Sequence, residues 1–163
     1  MLIEFKRLST VQTADIVRLM NDPKVRRHMP LTKDDFDEKD CADFIAAKEQ
    51  LWKDHGFGPW AFFVGDRFAG WGGLQPEGND VDLALVLDPK HWGLGKRIFE
   101  GIVARTRGDA RFDCITVQLP KTRRRLRALA RLGFECEGTV EAYGHEWVRF
   151  RRQLIRRDSR SAK

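Results

Sequence analysis

Apolar positions recur along the chain in two rhythms, one of period two and one near 3.6, and the switches between them mark out the elements. Leu2 to Leu8 alternates as a first strand. Ser9 or Thr10 then caps a helix that sets Val11, Ala14, Val17 and Met20 on one face, and Asn21-Asp22-Pro23 ends it. Thr32, with Asp35 three residues on, opens a second helix. Its apolar face of Phe36, Cys41, Phe44, Ile45, Leu51 and Trp52 runs down to Gly56. The acidic run Asp34, Asp35, Asp37, Glu38 and Asp40 suits the first turn of that helix, where negative charge meets the positive end of the dipole. Trp60 to Val64 and Phe68 to Leu74 flank Gly65-Asp66-Arg67 as a hairpin, and Asp80 to Leu87 continues the meander. Beyond it the pattern predicts a helix over Leu94 to Arg107, a strand over Ile115 to Leu119 and a short basic helix from Thr122 to Leu132. Two last strands follow, Phe134 to Ala142 and Glu146 to Ile155, and the tail from Arg156 to Lys163 reads as disordered. This order implies one α/β (α+β) domain over residues 1–155, with a mixed, mostly antiparallel sheet of about seven strands and helices on both faces.

The junction after the third strand carries the most chemistry. Leu83-Ala84-Leu85-Val86-Leu87 breaks at Asp88-Pro89 and runs into Lys90-His91-Trp92-Gly93-Leu94-Gly95-Lys96-Arg97, after which Ile98, Ile102 and Val103 fall at helical spacing. A strand, a glycine turn and a helix start make a phosphate site, because the first N–H groups of the helix are free and its dipole is positive there. Gly93 and Gly95 would let the backbone approach a ligand closely and let φ turn positive without strain. A P-loop is ruled out: Arg97 stands where Ser or Thr would hold magnesium, and Lys90 where its first glycine belongs. The dinucleotide fingerprint is a poor match, since Ile98 replaces its third glycine and Asp113 precedes the next strand instead of closing it.

The segment Lys90-His91-Trp92-Gly93-Leu94-Gly95 resembles the acyl-CoA pyrophosphate loop of the GNAT superfamily of N-acetyltransferases, Q/R-x-x-G-x-G/A, with Lys at its first position. The Trp-Gly-x-Gly form after a proline turn is similar to the branch of ribosomal-protein N-terminal acetyltransferases. Leu2 to Leu8, Val11 to Met20 and Asn21-Asp22-Pro23-Lys24-Val25 resemble that branch's opening, and Arg131-Leu132-Gly133-Phe134 with Glu137-Gly138 its late helix-to-strand junction.

Composition narrows the field. No apolar run approaches the ~20 residues of a membrane span, and Glu4, Lys6 and Arg7 stand where a secretion signal would carry an apolar core. Cys41, Cys114 and Cys136 are odd in number, lack C-x-x-C spacing and sit in apolar patterns. They fit a reducing cytoplasm and read as small buried hydrophobes. No serine stands in G-x-S-x-G, which argues against a serine hydrolase. The four histidines form no i, i+4 pair, so no metal site is expected. Charge is polarised: residues 1–89 hold 11 Lys/Arg and 16 Asp/Glu, net −5, whereas residues 90–163 hold 19 and 8, net +11. A basic half that begins at the glycine turn suits a triply phosphorylated ligand such as coenzyme A, and would also attract RNA.

The resemblance implies acetyl-CoA as co-substrate, with its pantetheine along Leu85, Val86 and Leu87 and its pyrophosphate on the N–H groups of His91, Trp92, Gly93, Leu94, Gly95 and Lys96. Lys90, Lys96 and Arg97 add charge, Thr122 can hydrogen-bond the cofactor, and Arg123 and Arg125 are candidates for the 3′-phosphate. An amine attacks the thioester directly in this family. Asp82 is the first candidate for base, with Glu77 and Asp80 as alternatives. The family's proton donors are missing: Leu129, Thr122 and Arg125 occupy those positions, and Tyr143 in the last turn is a weak substitute. Trp52, Trp60, Trp71 and Trp147 are core or acceptor-site candidates. The expected activity is acetyl transfer to a primary amine, of a peptide or protein N-terminus or a small molecule. The rival is a non-catalytic module of the same fold that binds acyl-CoA, RNA or protein; a homodimer is compatible with either.

Overall fold

A computed structural model describes residues 2–121 and 126–154 of the chain. Seven strands form one sheet: β1 (Ile3–Lys6), β2 (Pro59–Val64), β3 (Arg67–Glu77), β4 (Asp80–Leu87), β5 (Cys114–Pro120), β6 (Glu135–Ala142) and β7 (His145–Gln153). Their order is β1-β2-β3-β4-β5-β7-β6, and every neighbouring pair is antiparallel except β4 and β5. The helices are α1 (Thr13–Asn21), α2 (Pro23–Arg26), α3 (Glu38–His55), α4 (Gly95–Ala104) and α5 (Leu126–Arg131). This is the mixed α/β architecture expected from the alternation of periods.

The pleat sends successive side chains to opposite faces, and each face has its own core. On one, Leu74, Leu87, Ile115, Val117 and Phe150 pack with Ile98, Phe99 and Ile102 of α4. On the other, Ala61, Phe68 and Trp71 pack with Ile16, Leu19 and Met20 of α1 and Cys41 of α3. Each such burial is worth about 1.5–3 kcal/mol, enough to hold helices against both sides of the sheet.

Local chemistry moves several boundaries. Leu8–Thr10 forms a 3₁₀ turn in which the Thr10 hydroxyl donates back to the Arg7 carbonyl, so α1 starts late, behind Gln12. Asp22-Pro23 opens a helix instead of only ending one: the Asp22 carboxylate accepts from the N–H groups of Lys24 and Val25, and proline at the first position lacks an N–H that has no use there. The Thr32/Asp35 start is not used. Asp37 and Asp40 form the capping box of α3, and Asp34 pairs with Arg26, so most of the acidic run is structural. The helix ends at Gly56 with φ +74°, as its glycine signal predicts. Cys136 is exposed because β6 is an edge strand, which corrects its expected burial; Cys41 is buried and Cys114 half-buried.

Candidate active site

Two glycines bring β3 tight against the back of β4. A Cβ on Gly72 would stand 3.0 Å from the Cα of Leu85, and one on Gly70 would stand 2.8 Å from that of Leu87. On its other edge β4 is nearly bare. It meets β5 in one register pair, Asp82 with Thr116, while residues 83–87 have partners on β3 alone. The sheet therefore opens from Asp82 towards the carboxyl ends of β4 and β5, and the freed edge of β4 can bond an extended ligand as an added strand would. The closed end is strapped. Asp80 bonds Arg149 and Arg151 of β7 (3.0 Å from Oδ1 to Arg151 Nη1), and both arginines hold Glu137 of β6.

Asp82 lies at the vertex of this opening. It shares the α1/α3 face with Ala84 and Val86, and its Oδ1 accepts from the Thr116 hydroxyl at 3.0 Å. Burial raises its pKa from 3.8 to about 7; the Thr116 bond opposes the rise, and Glu77 and Asp80 add to it. A carboxylate that titrates near neutrality suits a general base. Asp80, one of the alternatives, is unsuited: the Arg151 bond holds it below the usual carboxylate range. Glu77 is exposed.

The glycine turn folds as a 3₁₀ segment, Pro89–Leu94, capped by Asp88, whose carboxylate accepts from the Lys90 N–H at 2.9 Å. Its amides are partly consumed, since His91 N–H bonds the Asp88 carbonyl and Gly95 N–H bonds the Trp92 carbonyl. Two of the N–H groups expected to cradle a diphosphate, those of His91 and Gly95, are therefore bonded within the turn itself. Helix α4 starts at Gly95, and its N-cap, Leu94, offers no side-chain acceptor. Neither Gly93 nor Gly95 has a positive φ, which corrects the conformational reason expected for them. A Cβ on Gly93 would meet nothing within 4 Å, and one on Gly95 only Leu87 Cδ1 at 4.0 Å. The chain's own packing does not require glycine at either position, and both leave the backbone open to solvent at this turn. His91 Nδ1 is buried at the same turn without a hydrogen-bond partner. An acyl-CoA diphosphate fits this uncapped, open helix start.

Other expected residues divide. Trp92 is not a ligand donor through its indole, because Nε1–H bonds the Leu87 carbonyl at 2.9 Å and ties the turn to the end of β4. Lys96 is exposed and near Glu100 at 3.8 Å, and Lys90 and Arg97 are exposed. Leu85 and Val86 are half-buried and Leu87 is buried. Thr122 and Arg125, with Arg123, lie outside the described residues. Trp52 and Trp147 donate to the Pro59 and Ala142 carbonyls, Trp60 packs on Trp52, and Trp71 is buried; all four have structural packing. Tyr143 is 75% exposed on the β6–β7 turn. Sequence reasoning missed Thr116, which donates to Asp82, and Gln75, the register partner of Asp82 that accepts from Lys48 of α3. No group of three His, Cys, Asp or Glu among the described residues could hold a metal ion, and no described helix is long and apolar enough to cross a membrane.

Residues 4–135 match the family profile described as the acetyltransferase (GNAT) domain. No functionally curated protein matches the chain. Solved structures with a similar fold include the acetyltransferase from Agrobacterium tumefaciens str. C58, at 15% identity and TM-score 0.71, covering 91% of this chain and 89% of that one. They also include AAC(6′)-Ib in complex with ribostamycin and coenzyme A, at 14% identity and TM-score 0.74, covering 98% of each chain. Another structure of that protein, described as an aminoglycoside acetyltransferase in complex with coenzyme A, aligns at 14% identity and TM-score 0.69 over 93% of each chain. At these identities the likeness establishes the fold, and it singles out no branch.

Proposed function

The chain belongs to the acetyltransferase (GNAT) family, and from that premise we propose that it transfers an acetyl group from acetyl-CoA to a primary amine, with Asp82 as proton acceptor. One coincidence carries the reading: a half-buried carboxyl whose pKa burial raises to about 7 lies at the vertex of the β4–β5 opening, beside an exposed strand edge that leads to an uncapped helix start.

Under this reading residues 85–87 bind the extended arm of the co-substrate along the free edge of β4, and the first turn of α4 takes its diphosphate. Asp82 accepts a proton from the acceptor's ammonium group and leaves a neutral amine beside the opening. The amine nitrogen bonds the thioester carbonyl carbon, the carbon–sulfur bond breaks, and the nitrogen gives up its second proton to solvent as the amide forms. The thiolate leaves and takes a proton from solvent, since Leu129, Thr122 and Arg125 stand at the family's donor positions. Thr116, by donating to Oδ1, holds the carboxylate so that Oδ2 remains for the incoming amine. The acceptor is a peptide N-terminus or a small-molecule amine.

Release of the coenzyme A thiol, followed with a thiol-reactive dye over a panel of peptides and small amines, tests the proposal. Turnover in the wild type and its loss in Asp82→Asn supports it. Tight acetyl-CoA binding with no turnover of any amine would replace it with the non-catalytic reading.

A further inference from the structure

Lys48 is a half-buried cation that no carboxylate pairs among the described residues. It projects from α3 onto two rings, with Nζ 5.2 Å from the centroid of Trp71 and 5.5 Å from that of Phe44. Its one hydrogen bond is to Oε1 of Gln75 on β3. Burial lowers its pKa, so the fold holds this amine at a cost in solvation that the two ring contacts offset only in part. A lysine with the stem alone buried and its head in water would avoid that cost.

Gln75 explains what the lysine does. Gln75 is the register partner of Asp82 across β3 and β4, so the two side chains leave the same face of the sheet as neighbours. A carboxamide has one acceptor end and one donor end, and an ammonium group can bond only the acceptor. Lys48 therefore fixes which way round the amide sits, with Oε1 towards α3 and Nε2 away from it. Nε2 makes no hydrogen bond among the described residues, and it is not a buried orphan. On the other side of Gln75's partner, Asp82 Oδ1 is held by Thr116. The row across the sheet therefore reads Lys48, Gln75, Asp82, Thr116, with one donor, Nε2, left for a ligand.

We propose that Lys48 and Gln75 form an acceptor-orienting arm, in which the locked Gln75 Nε2 donates to an oxygen adjacent to the reacting amine, so that the preferred acceptor is an α-amino carbonyl compound such as a peptide N-terminus. This rests on the reading of Asp82 as the proton acceptor. Gln75 contacts the acceptor, and Lys48 is a positioning residue that acts through it. An α-amino amide has its carbonyl oxygen two bonds beyond the carbon that carries nitrogen. One row of neighbouring side chains can thus serve both groups: Asp82 the nitrogen, Gln75 the oxygen.

The test compares alaninamide with sec-butylamine, which has a similar size and no oxygen. The ratio of wild-type to variant kcat/KM is taken for each amine, so that the amine's own pKa cancels. Gln75→Leu and Lys48→Met should lose about tenfold on alaninamide, equivalent to about 1.4 kcal/mol, and less than about twofold on sec-butylamine. Lys48→Arg should restore most of the alaninamide rate, and the KM for acetyl-CoA should not move in any variant. A purely structural role would lower both amines alike and shift the KM for acetyl-CoA; that result overturns the proposal and leaves Asp82 in place. Equal rates in wild type and Gln75→Leu for both amines also overturn it. Failure of the wild type to acetylate either amine would overturn the reading of Asp82 and this inference with it.

Discussion

Replacing Asp82 by asparagine keeps the size of the side chain and removes its charge, so it separates the energetic cost of the site from its chemistry. The carboxyl has a pKa of 3.8 when exposed and about 7 in the fold, a rise of about three units. At about 1.36 kcal/mol per unit, the ionised form is disfavoured in the fold by about 4 kcal/mol at the upper limit. Asp82 is only partly buried by exposed area, and solvent screening discounts the figure to about 2 kcal/mol. The sign follows from the direction. A raised folded pKa favours the protonated fold, so this group's contribution is present below about pH 4 and is lost as pH rises through about 7. Asparagine has no such loss. In urea unfolding from pH 4.5 to 8.5, the stability of Asp82→Asn relative to the wild type should climb by about 2 kcal/mol. That corresponds to roughly 4–8 °C in Tm for a chain of this size. The variant should at the same time lose about 10²–10⁴ in kcat. A relative stability that is flat across this range, or that falls with pH, would refute the claim that the carboxyl sits in a desolvated site.

Other parts of the structure give sharper local expectations. Gly72→Ala should destabilise the fold by about 1–3 kcal/mol in urea unfolding, because its Cβ would collide with the Ala84 carbonyl oxygen and stand 3.0 Å from Leu85 Cα. Trp92→Phe removes the N–H that ties the turn to the Leu87 carbonyl; it should cost about 1 kcal/mol in stability and weaken acetyl-CoA binding in calorimetry. Asp37→Ala breaks the capping box of α3 and should cost about 1 kcal/mol in thermal unfolding, with the KM for acetyl-CoA unchanged. Asp80→Asn should remove stability above pH 4 and lose its effect as pH falls through the lowered pKa of Asp80, since a depressed carboxyl stabilises the fold only while ionised.

Much of this was legible in the chain itself. Apolar runs bounded by turn residues placed all seven strands, β4 to the residue, because its continuous apolar run, packed against helices on both faces, ends sharply at Asp88-Pro89. Helix starts were less legible. Thr10 and Thr32 resemble caps, yet the hydroxyl of one bonds backward to Arg7 and the other lies ahead of a stronger box at Asp37 and Asp40. Asp22-Pro23 and Asp88-Pro89 carried the better signal, an acceptor followed by proline, and both open helical turns. Within the site, Asp82 and the glycine turn were visible from local spacing. The reason for the glycines was not, because φ is set by the turn type and only the structure reveals the open space above Gly93. Thr116, Gln75 and Lys48 come from three separated elements, and nothing in one stretch of sequence joins them to Asp82.

The central claim, that the strand edge at residues 85–87 and the start of α4 hold acetyl-CoA, is tested most directly by calorimetric titration of the wild type and Gly93→Trp with acetyl-CoA at moderate salt. A Cβ at Gly93 meets no protein atom within 4 Å, so the substitution should leave Tm unchanged and act only on the ligand. The account predicts one-to-one binding with a Kd in the micromolar range for the wild type, weakened at least tenfold in Gly93→Trp. Equal affinity in the two proteins, or no binding to the wild type, would contradict it.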